Sequence, residues 1–200
     1  MDIRKISKQF KAVADNTGNF TFQEELNGFS FPVLPVITNQ ERTRLELSFE
    51  WGLVPAWCKD DSIRKNTLNA RIESLDEKPA FRSSVTHRCL VIATGYFEWR
   101  WLDEKGKSKQ KFEVHHAVAE AFAFAGLYAS WQDPFGKRRD TFTICTTQAN
   151  PQMQYVHNTK NRMPVMLNPG DEDAWLDPHN DVRSFAYPEY SPQLVAFPIS

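Results

Sequence analysis

Four strand-forming runs follow one another between residues 89 and 147, and they restrict the fold more than any other feature. They are "CLVIATGYFEWRWL" (89–102), "KQKFEVHH" (109–116), "AFAFAGLYASW" (121–131) and "RRDTFTICTT" (138–147). Each is rich in β-branched and aromatic residues. The pieces between them are short and polar, which suits antiparallel pairing through tight turns. The first run reads as a strand pair or one long bent strand, and the last as a central strand. Further extended segments are "FPVLPVIT" (31–38), with Pro32 and Pro35 holding it to a sheet edge, and the alternating "RLELSFEWGLVP" (44–55). "MPVML" (163–167) is extended and "LVAFPI" (194–199) closes the chain as a strand.

Helices are few and short in this reading. Ile3, Ile6, Phe10, Val13 and Ala14 recur at helical spacing, so residues 2–15 are expected to form an amphipathic helix ended by Asn16 to Gly18. Two more are expected near 70–76 and 78–84. "NPQMQYVHN" (150–158) opens a short helix, with Asn150 as cap and Pro151 in its first turn. "PGDEDAWL" (169–176) is another, its acids placed as the helix dipole favours. Strands mixed with such helices predict an α+β fold, built on a bent antiparallel sheet or open β-barrel-like core, in a single domain over 1–200.

Bulk chemistry narrows the function. No apolar stretch reaches the ~20 residues that span a bilayer, so no membrane partner is expected. The opening "MDIRKISKQF" lacks the apolar core of a signal peptide. Three widely spaced cysteines, Cys58, Cys89 and Cys145, fit neither a disulfide framework nor a zinc site, and a cytoplasmic location is expected. They read as small core residues rather than nucleophiles. The net charge of -1 hides an uneven distribution. Residues 62–162 hold 16 Lys/Arg against 10 Asp/Glu, and residues 163–200 hold one against six. A basic middle permits a surface for an anionic ligand, although solvated faces give the same count.

Glu98 is the most pointed candidate. It sits between Phe97 and Trp99 in an apolar run, where a carboxylate withdrawn from water costs several kcal/mol unless it is paired. Alternation on a wet strand face would also place it there. His157, near a helix end, can be a ligand-handling base or a capping histidine. Arg71 can be a surface ion-pair partner and Asn69 a helix cap. His115 and His116 point to opposite faces of one strand and cannot chelate one metal. No metal site, Gly-rich phosphate loop or GxSxG motif is present, and no cofactor is implied.

Taken in order, "WGLVPAW", "NARIES…FR", "RCLVIATGYFEW" and "HNTKNRMPVML" resemble the SOS-response-associated peptidase (SRAP) family, from about residue 33 onward. The resemblance implies that fold and a chemistry. Such proteins expose an N-terminal cysteine by removing their own initiator Met. Its amine and thiol trap the ring-opened aldehyde of an abasic site in single-stranded DNA as a thiazolidine. The resemblance makes Glu98 the acid that orients the amine, His157 the proton carrier and Asn69 a neighbour of the reactive terminus. It puts Arg71 and Arg162 on DNA phosphate, and Trp51, Pro55 and Trp57 along the DNA groove. It also implies a monomer. This chain begins Met1-Asp2-Ile3 where such a protein has Met-Cys. The natural protein is therefore expected to begin upstream, with Met1 internal. Two other functions fit the same residues: a noncovalent single-stranded DNA binder, with Trp51, Trp57, Phe97 and Trp99 as stacking candidates, and a peptidase acting on other proteins.

Overall fold

The computed structural model describes residues 2–14 and 20–199. It contains helix α1 (Ile3–Phe10) and strands β1 (Val36–Thr38), β2 (Glu50–Trp51), β3 (Asn69–Arg71), β4 (Arg88–Ala93), β5 (Tyr96–Trp101), β6 (Lys109–His116), β7 (Phe122–Gln132) and β8 (Arg138–Gln148). Helix α2 (Pro151–Val156), strand β9 (Arg162–Pro164), helix α3 (Glu172–Leu176) and strand β10 (Leu194–Ile199) follow. Mixed sheets and a few short helices make this an α+β fold, with a curled, half-barrel sheet. No helix among the described residues is long and apolar enough to cross a membrane.

The larger sheet runs β1-β4-β7-β8-β2, and β3 and β9 also pair with β8. The smaller sheet runs β10-β6-β5, antiparallel throughout. Thus 89–102 holds two strands that do not pair with each other: β4 belongs to the larger sheet and β5 to the smaller. The chain turns between them at Thr94-Gly95. A side chain at Gly95 would collide with the His115 ring, 2.9 Å from an ideal Cβ, so the strand start can lie this close to β6 only with glycine.

Burial of β4, β7 and β8 on both faces explains the packing. One face of the larger sheet, through Leu90, Ile92, Ala125, Leu127 and Cys145, meets Ile6 of α1 and Trp175 of α3. Its other face, through Val36, Cys89, Val91, Phe124, Phe142 and Ile144, forms a second cluster. Helix α2 packs Met153 and Val156 against Phe112 and Val114 of β6. His116 is buried on β6 while His115 on the opposite face is partly exposed.

Three segments depart from expectation. Residues 69–71 form a strand, not a helix, because β8 offers an open edge: Ala70 pairs in parallel with Cys145 and is wholly buried. Only single 3-10 turns follow, at Ile72–Ser74 and Arg82–Ser84. The alternating segment 44–55 is not one strand, because its residues change partners. Arg44 bridges Val13, Glu46 bridges Val36, and only Glu50 and Trp51 pair with β8. Helix α1, capped by Asp2, stops at Phe10, where Lys11 turns to φ 52° and Val13 joins Arg44. The terminator expected at Asn16 to Gly18 lies outside the described residues.

Arg88 ties α3 to the sheet. It is buried, and its guanidinium donates to the carbonyls of Trp175 (3.1 Å), Asp177 (2.9 Å), Pro178 (3.3 Å) and Asn180 (2.6 Å). Arg88→Met keeps the aliphatic bulk and strands those carbonyls. It is expected to remove roughly 2–4 kcal/mol of stability. Urea unfolding should show a lower midpoint at unchanged m. A loss below about 0.5 kcal/mol would mean that the carbonyls find other donors.

Candidate functional site

Glu98 and His157 meet where the free edge of β5 faces the end of α2. Asn150 caps that helix by accepting from Met153 N–H at 2.9 Å, and Pro151 occupies its first turn. The helix then ends at His157, whose N–H donates to the Met153 carbonyl at 2.7 Å. Met153 and Val156 anchor the helix on the smaller sheet, so its last residue is carried to the edge beside Glu98.

The bonding of the pair is specific. Glu98 Oε1 accepts from Trp99 N–H at 3.0 Å, and Oε2 lies 3.3 Å from His157 Nδ1. Nδ1 also donates to the Arg162 carbonyl at 2.9 Å. A carbonyl only accepts, so Nδ1 carries the hydrogen. In the neutral ring Nε2 is then a free lone pair, and it makes no hydrogen bond with any described residue. Both side chains are about one-fifth exposed. An imidazole oriented through Nδ1 and open at Nε2 is equipped to accept and return a proton, with a carboxylate beside it to stabilise the cation that forms. Below the pair, the buried Tyr96 hydroxyl donates to Met153 Sδ at 3.6 Å. Burial, and then the Glu98 charge, push that phenol above its ordinary pKa, so it stays neutral.

Arg162 is drawn in through its backbone and fixed through its side chain. Its guanidinium makes a bidentate pair with Glu73, at 2.8 and 2.9 Å, and donates to the Thr146 carbonyl at 2.6 Å. Its Nε is buried without a partner. Burial works to raise the Glu73 pKa, but the hydrogen bond and charge of Arg162, with the Glu73 backbone and Thr147, outweigh it and hold the carboxyl below its ordinary value. Arg162 is therefore a neutralised cation in this state.

Asn69 and Arg71 stand on β3 with Ala70 turned to the core between them. Arg71 is in register with Thr146, the residue that accepts from Arg162. Both Asn69 and Arg71 are exposed, and Arg71 makes no ion pair or hydrogen bond with another described residue. Trp51 precedes them in space: its Nε1 donates to the Leu68 carbonyl at 2.7 Å, and its ring lies parallel to Phe142. Pro55 is buried, and its carbonyl accepts from Cys58 N–H at 3.0 Å in the turn that carries Trp57. Trp57 is 60% exposed. Bonds thus link Glu98, His157 and Arg162 directly, register adds Arg71 and Asn69, and Trp51 supports the start of β3.

The cysteines lie apart from this chemistry. Cys89 and Cys145 are buried, and burial pushes both thiols well above the ordinary range. Burial, and then Asp60, raise that of Cys58. No group of His, Cys, Asp and Glu suited to a metal exists among the described residues. Glu73 and Thr146 escaped the sequence reading. Glu73 lies inside "NARIES" two residues after Arg71, but a lone acid there reads as surface charge. Only the fold shows that it faces Arg162.

Comparison with known proteins places this arrangement. A family model described as SOS response associated peptidase (SRAP) matches residues 1–200. The abasic site processing protein YoqW of Bacillus subtilis is 37% identical over 173 residues, 84% of this chain and 75% of that protein. The abasic site processing protein HMCES of Gallus gallus is 29% identical over 160 residues, 67% of this chain and 46% of that protein. A crystal structure of a Bacteroides thetaiotaomicron protein aligns with a TM-score of 0.87 at 33% identity, covering 98% of this chain and 88% of that one. One from Bordetella bronchiseptica, at 21% identity and a TM-score of 0.79, covers 100% and 96% and shows the shared fold alone. The chain belongs to the SOS response associated peptidase (SRAP) family.

Proposed function

We propose that this protein acts in the response to DNA damage by capturing abasic sites in single-stranded DNA as a covalent adduct. The observation that carries the reading is the Glu98–His157 pair, with Nδ1 engaged and Nε2 open. Its setting supports it: an exposed, unneutralised Arg71 and an exposed Trp57 supply a phosphate contact and a stacking face. The names of YoqW and HMCES point the same way.

In this reading the nucleophile is an N-terminal cysteine, as the family resemblance implies. The amine adds to the ring-opened sugar aldehyde, and the adduct loses water to give a Schiff base. The thiol sulfur then adds to the imine carbon and its proton ends on nitrogen, closing a thiazolidine with one water released overall. His157 Nε2 carries the protons of ring opening and dehydration. Glu98 holds the amine and steadies the imidazolium. Cys58, Cys89 and Cys145 are internal and offer no amine, so they cannot serve.

The decisive experiment is a denaturing gel with single-stranded DNA bearing one abasic site. A form with Met-Cys placed ahead of Met1 is expected to give a shifted band that survives denaturant. The chain starting at Met1 is expected to bind without linking. If neither form links and both bind reversibly, the noncovalent reading replaces this one. In the cysteine-bearing form, Glu98→Ala is expected to slow Met removal and linking by ~10²-fold with the fold kept. Linking at the parent rate would take the acid's role from Glu98. Arg71→Ala is expected to weaken binding to single strands of any sequence and to reduce the salt slope by about 0.7. An unchanged slope would remove Arg71 from the DNA surface.

A further inference from the structure

Strand β5 is the outer strand of its sheet, so one of its edges has no partner strand among the described residues. Trp99 and Trp101 direct their N–H groups to that edge, while Leu102 N–H turns back to Ser108 of the facing strand's approach, at 2.9 Å. Trp99 N–H is taken by the Glu98 carboxylate. Trp101 is taken by one side chain at both of its groups. Its N–H donates to Asn158 Oδ1 at 3.0 Å, and Asn158 Nδ2 donates to its carbonyl at 2.9 Å. This is the double exchange of an antiparallel residue pair, made by an amide side chain in place of a strand.

We propose that Asn158 is the positioning residue that holds His157 against Glu98. Residues 157 and 158 are adjacent in the chain: Asn158 bonds the edge at Trp101, and His157 meets the Glu98 carboxylate that takes the preceding outward N–H, that of Trp99, roughly 7 Å along the strand. With Asn158 locked on both groups of Trp101, His157 cannot slide along β5 without breaking two hydrogen bonds. A second tie acts from the other side. The Arg100 guanidinium donates to the Tyr155 carbonyl and lies over the Tyr155 ring at 3.9 Å, fixing the last turn of α2. Behind His157, its carbonyl accepts from Asn161 N–H at 3.1 Å, so the loop closes on itself. The Asn158 side chain makes its hydrogen bonds to Trp101 and none to Glu98 or the imidazole. It acts through the backbone.

The inference rests on reading Glu98 and His157 as the working pair, but its test needs no DNA. The full chain is labelled with 15N-histidine, and long-range proton–nitrogen spectra report which ring nitrogen of His157 carries the hydrogen. His157→Gln identifies the signal. The parent is expected to show the Nδ1–H form. Asn158→Ala, folded by circular dichroism, is expected to show a mixture of both tautomers as the Arg162 and Glu98 contacts loosen. Asn158→Asp keeps the acceptor for Trp101 N–H but sets a carboxylate against the Trp101 carbonyl, and it is expected to fall between. Should Asn158→Ala not fold, Asn158→Asp carries the test alone. His157 signals identical to the parent in a folded variant would overturn the assignment. A protein that then fails to link abasic DNA would leave this result intact and defeat the functional reading alone.

Discussion

Four residues of the candidate site hang on β8. One of its edges pairs with β7 from Arg138 to Ile144. Past Ile144 the same strand receives β9 through Thr146–Gln148. Its other edge takes β2 at Thr141–Phe142 and β3 at Ile144–Thr146. A strand eleven residues long thus organises four others, and through them Trp51, Asn69, Arg71 and Arg162. The parallel pairs are too short to stand without that template, since two or three residues supply few ladder bonds. β8 meets the need for burial on both faces: Phe142 and Ile144 enter one cluster and Cys145 the other.

Charge is arranged around the same scaffold. The excess of Lys and Arg in residues 62–162 reaches the surface mainly through lysines, most of them exposed, whereas several of its arginines are engaged in ion pairs and carbonyl hydrogen bonds. Arg64 and Arg139 share Glu50, whose carboxyl burial would raise but whose two guanidiniums hold below its ordinary value. Arg64 also donates to the Trp51 carbonyl, so this network sets the segment leading to Trp57. Arg88 is spent on carbonyls and Arg162 on Glu73. Among the arginines, the exposed Arg71 on β3 is the clearest element left for an anionic ligand. An approaching phosphate would also compete with Glu73 for Arg162, an exchange of one oxyanion for another rather than the filling of a vacancy.

These facts explain which parts were legible in the sequence. The long strands were, because β6 buries alternate residues and so writes a period of two, while β4, β7 and β8 are near-continuous runs of strand formers buried on both faces. Helix α2 was, because Asn150 and Pro151 are local signals that need no partner. The strand at 69–71 was not. Asn69, Ala70 and Arg71 carry no strand pattern of their own, and the open edge of β8 decides their conformation. The segment 44–55 failed for the opposite reason: its alternation is real, but each stretch of it serves a different neighbour. At the site, Glu98 stood out as an acid in an apolar run, and His157 gained its weight from the order of the motifs around it. Glu73, Thr146 and Asn158 did not, because their work consists of holding backbone and charge that only the folded chain brings near.

The position of Glu98 between two aromatic residues follows from the edge of a sheet. Phe97 and Trp99 point to the opposite face of β5, where Lys111 lies over both rings. Glu98 points inward above Tyr96, into surroundings that would expel an unpaired carboxylate. An interior strand would have no backbone donor to spare. An edge strand has, and Trp99 N–H satisfies one oxygen while His157 meets the other. That leaves the carboxylate partly shielded and fixed beside an imidazole whose second nitrogen is free. A central strand could bury this acid or expose it, but only an edge met by a helix end can do both at once, which is why the pair sits where β5 and α2 meet.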